Sequence, residues 1–287
     1  MAVISVWIDA NASAMGAATA FYTIFAIAPL FVLVLALAGL CFGHETAQRE
    51  LFGQISGLVG QSAADAIQSV LAAAHRPRAG TFATVLGFVT LFVGATSVFI
   101  QLQQSINAIW NVRPKGSGVR HFIKNRLLSF AALLGIGFLL LVSLIISAAL
   151  AAVGKWMSGK VSAAEPFWQA VDFVVSLAII TLLFAMIFKI LPDVKIRWRD
   201  VWIGAFMTAL LFTLGKFLIG VYLGRSSVSS AYGAAGSFVV VLLWVYYSVQ
   251  ILLFGAASTR IYANRFGSQI VPSEHAEFVQ KEEPTRF

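Results

Sequence analysis

Lys216 is the one charged residue of this chain that lies deep inside an apolar stretch. It follows Val201 by fifteen residues and precedes Gly224 by eight, so in a helix it lies about 12 Å from the nearer end of that stretch. An ammonium group buried in an apolar medium is costly without a partner or a water-filled cavity, and it attracts anionic groups. This residue therefore indicates binding of a negatively charged group.

Asp172 is the acidic residue that the fold could bring to Lys216. Folding the chain back about residues 194–196 places Asp172 level with residues 216–220. In a hairpin of two neighbouring helices the two charges would then face each other. The alternative is that the Lys216 side chain extends along its own helix to the nearest polar surface. Lys216 and Asp172 are therefore candidate contacts for a substrate or a lipid headgroup.

Tyr247 and Gln250 are polar side chains near the middle of the last apolar stretch, residues 236–260. Buried hydroxyls and amides in lipid usually form hydrogen bonds between helices. The pattern favours polar contacts between helices over contacts with a ligand.

Enzyme chemistry has no visible basis in the sequence. The twelve acidic residues are scattered and the four histidines lie in four separate places, so no pair has the spacing of metal ligands. No GxxxxGK[ST] phosphate-binding loop is present. The one cysteine, Cys41, excludes an intrachain disulfide and has no base near it in the sequence. We expect neither enzymatic activity nor a cofactor.

Six long apolar stretches must position these residues. The mean hydropathy of the 287-residue chain is +0.86 and only 11% of its residues are charged, against about 25% in soluble domains. A helix needs roughly 20 apolar residues to cross a bilayer. The sequence predicts an all-α membrane protein with six transmembrane helices, at about 18–41, 81–100, 127–153, 171–191, 201–223 and 236–260.

Basic residues are distributed unequally between the loops. With Lys216 set aside, thirteen lie on the side of the two termini and six lie on the other side. Because positively charged loops stay on the cytoplasmic side, both termini are predicted to be cytoplasmic. The net charge of +8 therefore indicates membrane lipids, and not nucleic acid, as partners.

Two segments lie outside the six spans. Apolar residues recur at helical spacing between Leu51 and Leu71, which predicts an amphipathic helical segment in the first outer loop. This segment would serve as a lid on the outer leaflet or as structural cover. The polar composition after Phe266 is typical of disorder. We expect a transmembrane domain over residues 1–265 and a cytoplasmic disordered tail over residues 266–287.

Four blocks of the sequence resemble the YihY/BrkB family of bacterial inner-membrane proteins. They are Gly16–Leu40, Gln101–Val112, Leu191–Gly224 and Tyr232–Ala256, and the likeness covers about residues 9–262. The resemblance implies a six-span, multi-pass protein of the inner (plasma) membrane. Members were long labelled ribonuclease BN, a label that the lack of nuclease residues argues against. The family often has an acidic residue where this chain has Ala257.

The function indicated by these features is transport. Some members of the family are linked to serum resistance, and one is linked to export of a lipid A precursor. Together with Lys216, this favours a transporter or flippase of lipids or other amphiphilic anions. The alternative is a non-transporting membrane scaffold for envelope proteins. The sequence is also compatible with a homo-oligomer.

Overall fold

The computed structural model of this chain describes residues 2–23, 81–115, 165–225 and 236–279, with single or paired positions between 26 and 68. The predicted span at 127–153, most of the span at 18–41 and most of the amphipathic segment of the first outer loop lie outside the described residues.

Six helices dominate the described part of the chain. They are α1 (Ala2–Asp9), α2 (residues 12–23), α3 (Thr81–Trp110), α4 (Glu165–Ile190), α5 (Trp198–Arg225) and α6 (Gly236–Phe266). Predicted spans lie within α3, α5 and α6, and the predicted span at 171–191 ends one residue beyond α4. Three stretches, Phe173–Ile190, Trp198–Ile219 and Val239–Phe266, are long and apolar enough to cross a membrane. The helical membrane architecture is therefore confirmed for this part, while the count of six spans and the side of the termini stay predictions.

Helix α6 lies at the centre of the described bundle. It contacts α1, α3 and α5, whereas α4 packs chiefly on α5. The apolar stretch of α6 is 44% buried, against 28% for those of α4 and α5. The residues of α6 therefore have protein neighbours on more than one side, and a polar group on α6 meets protein more often than one on α4 or α5.

Glycine and threonine residues form a reciprocal contact where α5 and α6 cross. A Cβ atom added to Gly204 would lie 1.8 Å from Thr259 Oγ1, and one added to Gly255 would lie 2.0 Å from Thr208 Oγ1. Each threonine hydroxyl donates to the glycine carbonyl on its own helix, at 2.7 Å from Thr208 to Gly204 and 2.8 Å from Thr259 to Gly255. The two helices are therefore antiparallel, and each glycine leaves the space that the opposite threonine fills.

An exposed apolar face runs along α5. Its side chains recur at intervals of one helical turn, as expected for one face of a helix. In water such an exposed apolar face would favour aggregation, whereas in a bilayer it contacts acyl chains. Trp198 and Trp202 lie near the start of α5, the position of an interfacial aromatic belt. The face comprises Trp202, Phe206, Leu210, Leu214, Phe217, Leu218 and Val221.

The segment after α6 differs from the disordered tail that we expected. Two short strands follow Phe266, β3 (Val271–Pro272) and β4 (Ala276–Phe278). β4 pairs antiparallel with β1 (Val112–Pro114), and β3 pairs antiparallel with β2 (Val194–Lys195). A polar composition disfavours a hydrophobic core, but it does not prevent the backbone from pairing with a partner strand. Residues 280–287 lie outside the described residues.

The strand end of the bundle, where β1–β4 lie, is also joined by buried polar contacts. Asp200, only 4% exposed, accepts hydrogen bonds from the backbone N–H of Ser268 at 3.0 Å and from its hydroxyl at 2.9 Å. Arg260 of α6 donates to the carbonyl of Ile109 at 2.6 Å, near the carboxyl end of α3. These contacts hold α3, α5 and the segment after α6 in one arrangement.

Candidate functional site

A cavity of about 260 Å³ lies between α1, α5 and α6. Two of its lining residues, Leu214 and Leu218, are also part of the exposed face of α5, where they are 56% and 53% exposed. The cavity therefore opens towards the lipid-facing side of α5. Its lining residues are Trp7, Leu211, Leu214, Gly215, Leu218, Tyr247, Gln250, Ile251 and Phe254.

Helical spacing explains the apolar wall that α5 contributes. Leu211, Leu214 and Leu218 follow one another at three and four residues, so they lie on one side of the helix. Gly215 lies between them and brings α6 close. A Cβ atom added there would lie 2.7 Å from Tyr247 Cε1 and 2.7 Å from Ile251 Cδ1. The ring of Tyr247 consequently rests against the α5 backbone at the edge of the cavity.

Gln250 joins the cavity to the N-terminal segment. Its Nε2 donates to the carbonyl oxygen of Ala12 at 3.3 Å. Gly16 makes this approach feasible, because a Cβ atom there would lie 2.1 Å from Nε2. The carbonyl of Ala12 requires a donor, so it fixes the orientation of the amide and leaves Oε1 as the free acceptor.

Two polar atoms of the lining residues have no hydrogen-bond partner within the described part of the chain. They are Trp7 Nε1, a donor, and Gln250 Oε1, an acceptor, and both are buried. A buried polar group without a partner costs free energy, and such groups in folded proteins usually meet a protein group, a water molecule or a ligand. Neither atom has appreciable accessible surface, so neither faces the open space of the cavity as it stands.

The size of the cavity limits what it can hold. Its 260 Å³ is roughly eight to nine times the volume that one water molecule occupies in the liquid. This space suits a small headgroup such as one sugar or glycerol unit, but not a whole lipid. The acyl chains of such a lipid would then lie on the apolar face of α5 outside the cavity.

The site residues that we predicted from the sequence lie on two different sides of α5. Tyr247 and Gln250 both line the cavity. Lys216 directly follows Gly215 but does not line the cavity. It lies one turn beyond Phe212, whose ring contacts Phe184 of α4 at 5.6 Å between centroids. The lysine therefore belongs to the side of α5 that carries Phe212, away from the cavity.

The ring contact between Phe184 and Phe212 also sets the register between α4 and α5. It makes Lys216 level with residue 180, and Asp172 lies about 12 Å further along α4. The residues of this ring contact are centred on residue 198, later than the predicted turn at 194–196. The side chain of Asp172 lies outside the described residues, and its pairing with Lys216 stays a prediction.

Sequence reasoning did not find Trp7 and Gly215. Trp7 precedes the first predicted span, and a single glycine in a long apolar stretch has no pattern of its own. One usable signal is the spacing of Val3, Val6 and Trp7, which are partly buried against the core. The spacing predicts an apolar face but not the helix that it meets.

Comparison with known proteins assigns the family. Residues 3–279 match the family model described as "Virulence factor BrkB". A UPF0761 membrane protein of Verminephrobacter eiseniae is 30% identical over 83% of this chain and 56% of its own length. Relatives with the same description in Pseudomonas paraeruginosa and Alcanivorax borkumensis are 28% and 29% identical over 87% and 85% of this chain.

No solved structure matches the chain. The chain spans 56%, 60% and 55% of the length of the three relatives, so each of them has sequence beyond the shared part. The family model nevertheless covers nearly the whole chain. This chain belongs to the BrkB (YihY) family of membrane proteins.

Proposed function

We propose that this chain is a membrane transporter that moves an amphiphilic lipid between the two leaflets. The observation that carries the proposal is the cavity beside the lipid-facing side of α5, whose lining includes the polar side chains of Tyr247 and Gln250. A lipid crosses slowly because its headgroup must leave water for hydrocarbon. A cavity lined in part by polar side chains lowers that cost.

The proposed path keeps the two parts of the lipid in different surroundings. The headgroup occupies the cavity, while the acyl chains remain on the exposed face of α5 between Phe206 and Val221. Leu211 and Phe254 contribute apolar walls to the cavity. The sequence contains no phosphate-binding loop for ATP, so the movement would be facilitated or coupled to a gradient. We propose no bond-making step.

Proteoliposomes test this proposal directly. The purified full chain is reconstituted with two NBD-labelled lipids in separate preparations, uncharged glucosylceramide and anionic phosphatidylglycerol. Dithionite then bleaches only the label on the outer leaflet, so transport appears as bleaching beyond the outer-leaflet fraction. We expect faster movement of at least one lipid than in protein-free liposomes. No movement of either lipid would contradict transport and favour the membrane scaffold.

A matched pair of variants connects transport to the cavity. Leu214 and Leu210 are both exposed on the same face of α5, at 56% and 43%, but only Leu214 lines the cavity. Leu214→Trp places a larger side chain at the cavity and should slow transport. Leu210→Trp makes the same change outside the cavity and should not. Equal transport rates for the two variants would show that transport does not depend on this cavity.

A further inference from the structure

We infer that the start of α5 binds the headgroup of an anionic phospholipid, such as phosphatidylglycerol, from the surrounding leaflet. Two exposed arginines, Arg197 and Arg199, flank the exposed Trp198 there. The inference does not rest on the proposed transport, because Arg199 lies about 18 Å along α5 from Leu211, the nearest residue of α5 in the cavity lining.

Arg199 continues the exposed apolar face of α5 towards the strand end of the bundle. It precedes Phe206 by seven residues and Leu210 by eleven, so all three lie on one side of the helix. Ten residues of helix rise about 15 Å, which is half of the roughly 30 Å of hydrocarbon in a bilayer. A phospholipid whose phosphate lies at Arg199 therefore places its acyl chains along Trp202, Phe206 and Leu210.

A further cation lies beside the first turn of α5. The Nζ atom of Lys189, at the end of α4, is 5.7 Å from the centroid of the Trp198 ring and donates to the carbonyl of Ile196. Among the residues that the structure describes, Arg197 and Arg199 have no partner in an ion pair. Exposed basic residues at the edge of the hydrocarbon attract anionic headgroups, so this end of α5 favours an anionic lipid over a zwitterionic one.

Two acidic residues lie close to these arginines in the sequence, and both have protein partners. Asp200 is buried, and its carboxylate accepts two hydrogen bonds from Ser268. Asp193 accepts a hydrogen bond from Asn107 at 2.8 Å. Because protein groups already bind both carboxylates, neither takes the place of the lipid phosphate at Arg199.

Photolabelling of the full chain in phosphatidylcholine nanodiscs tests the inference. The probes are phosphatidylglycerol and phosphatidylcholine that carry the same diazirine-labelled acyl chain, and peptide mass spectrometry locates the label. We expect about fivefold more labelling between Trp202 and Leu210 by phosphatidylglycerol, the preference that one basic residue near the surface predicts. Phe173 and Val174, exposed near the other end of α4, should show no such preference.

A matched pair of variants assigns the preference to Arg199. Arg199→Gln should abolish it, whereas Arg199→Lys keeps the charge and should retain it. Lys195→Gln is the control, because it removes the same charge from the same connection, but from an ion pair with Glu274 at 3.1 Å. Salt of about 0.5 M should weaken the preference of the unmodified chain, since it screens exposed charges.

Two results would overturn the inference. One is equal labelling of Trp202–Leu210 by the two lipids on the unmodified chain. The other is an equal loss of preference in Arg199→Gln and Lys195→Gln, which would assign the effect to net charge alone. If Arg199→Gln fails to fold, the unmodified chain decides: a preference confined to Trp202–Leu210 supports the site, and one shared equally by Phe173 and Val174 contradicts it.

Discussion

Asn107 and Asp193 form a reciprocal pair of hydrogen bonds between α3 and the connection that joins α4 to α5. Asn107 Nδ2 donates to Asp193 Oδ2 at 2.8 Å, and the backbone N–H of Asp193 donates to Asn107 Oδ1 at 2.9 Å. The carbonyl of Asp193 also accepts from the backbone N–H of Ser273 at 2.9 Å. Asp193 thereby joins α3 and the segment after α6 to the connection between α4 and α5.

Asp193→Ala should destabilise the protein by about 1–3 kcal/mol, because it leaves the amide of Asn107 buried without its carboxylate partner. Asn107 is 5% exposed, so water cannot easily replace the lost contact. Thermal unfolding in detergent measures the change. Lys195→Ala is the control, since its ion pair with Glu274 at 3.1 Å is exposed and should contribute at most about 1 kcal/mol. Equal losses of stability in the two variants would contradict a stabilising role for the buried contact between Asp193 and Asn107.

Gly204→Ala should destabilise the crossing of α5 and α6 by about 1–3 kcal/mol, because the new methyl group overlaps Thr259. The measurement is unfolding by sodium dodecyl sulfate in mixed micelles. Gly53→Ala provides a matched control, since no atom of the described residues lies within 4 Å of a Cβ atom added there. The control should be neutral or slightly stabilising, by up to about 1 kcal/mol. If Gly204→Ala leaves the stability unchanged, α5 and α6 can move apart at this crossing at little cost in free energy.

The sequence determines the helices of this protein better than it determines their contacts. Spans at 171–191 and 236–260 were predictable because the length of an apolar stretch reflects the thickness of the bilayer alone. The crossing at Gly204 and Thr259 depends on the register of two helices, which span length does not encode. The level of Asp172 relative to Lys216 depends on the same kind of register. The sequence predicted that Gln250 contacts another helix, but not that its Oε1 faces no described partner.

Removing residues 268–279 together with the rest of the tail should loosen the strand end of the bundle. The truncated chain loses β3 and β4 and both hydrogen bonds from Ser268 to the buried carboxylate of Asp200. We expect a loss of about 2–4 kcal/mol, the sum expected of a few hydrogen bonds of which two involve a charged group. Limited proteolysis should then cut the connection at 191–197 faster. Truncation after Val279 keeps every described contact of the tail and is the control.

Lys216→Leu tests whether the side of α5 away from the cavity takes part in transport. Because Lys216 does not line the cavity, we expect this variant to transport labelled glucosylceramide at the unmodified rate in proteoliposomes. Lys216→Arg keeps the charge and serves as the control. Selective loss of phosphatidylglycerol transport would show that an anionic headgroup uses a second route, past Lys216, the headgroup contact that the sequence predicted. Loss of glucosylceramide transport in a folded Lys216→Leu protein would contradict a path confined to the cavity between α1, α5 and α6.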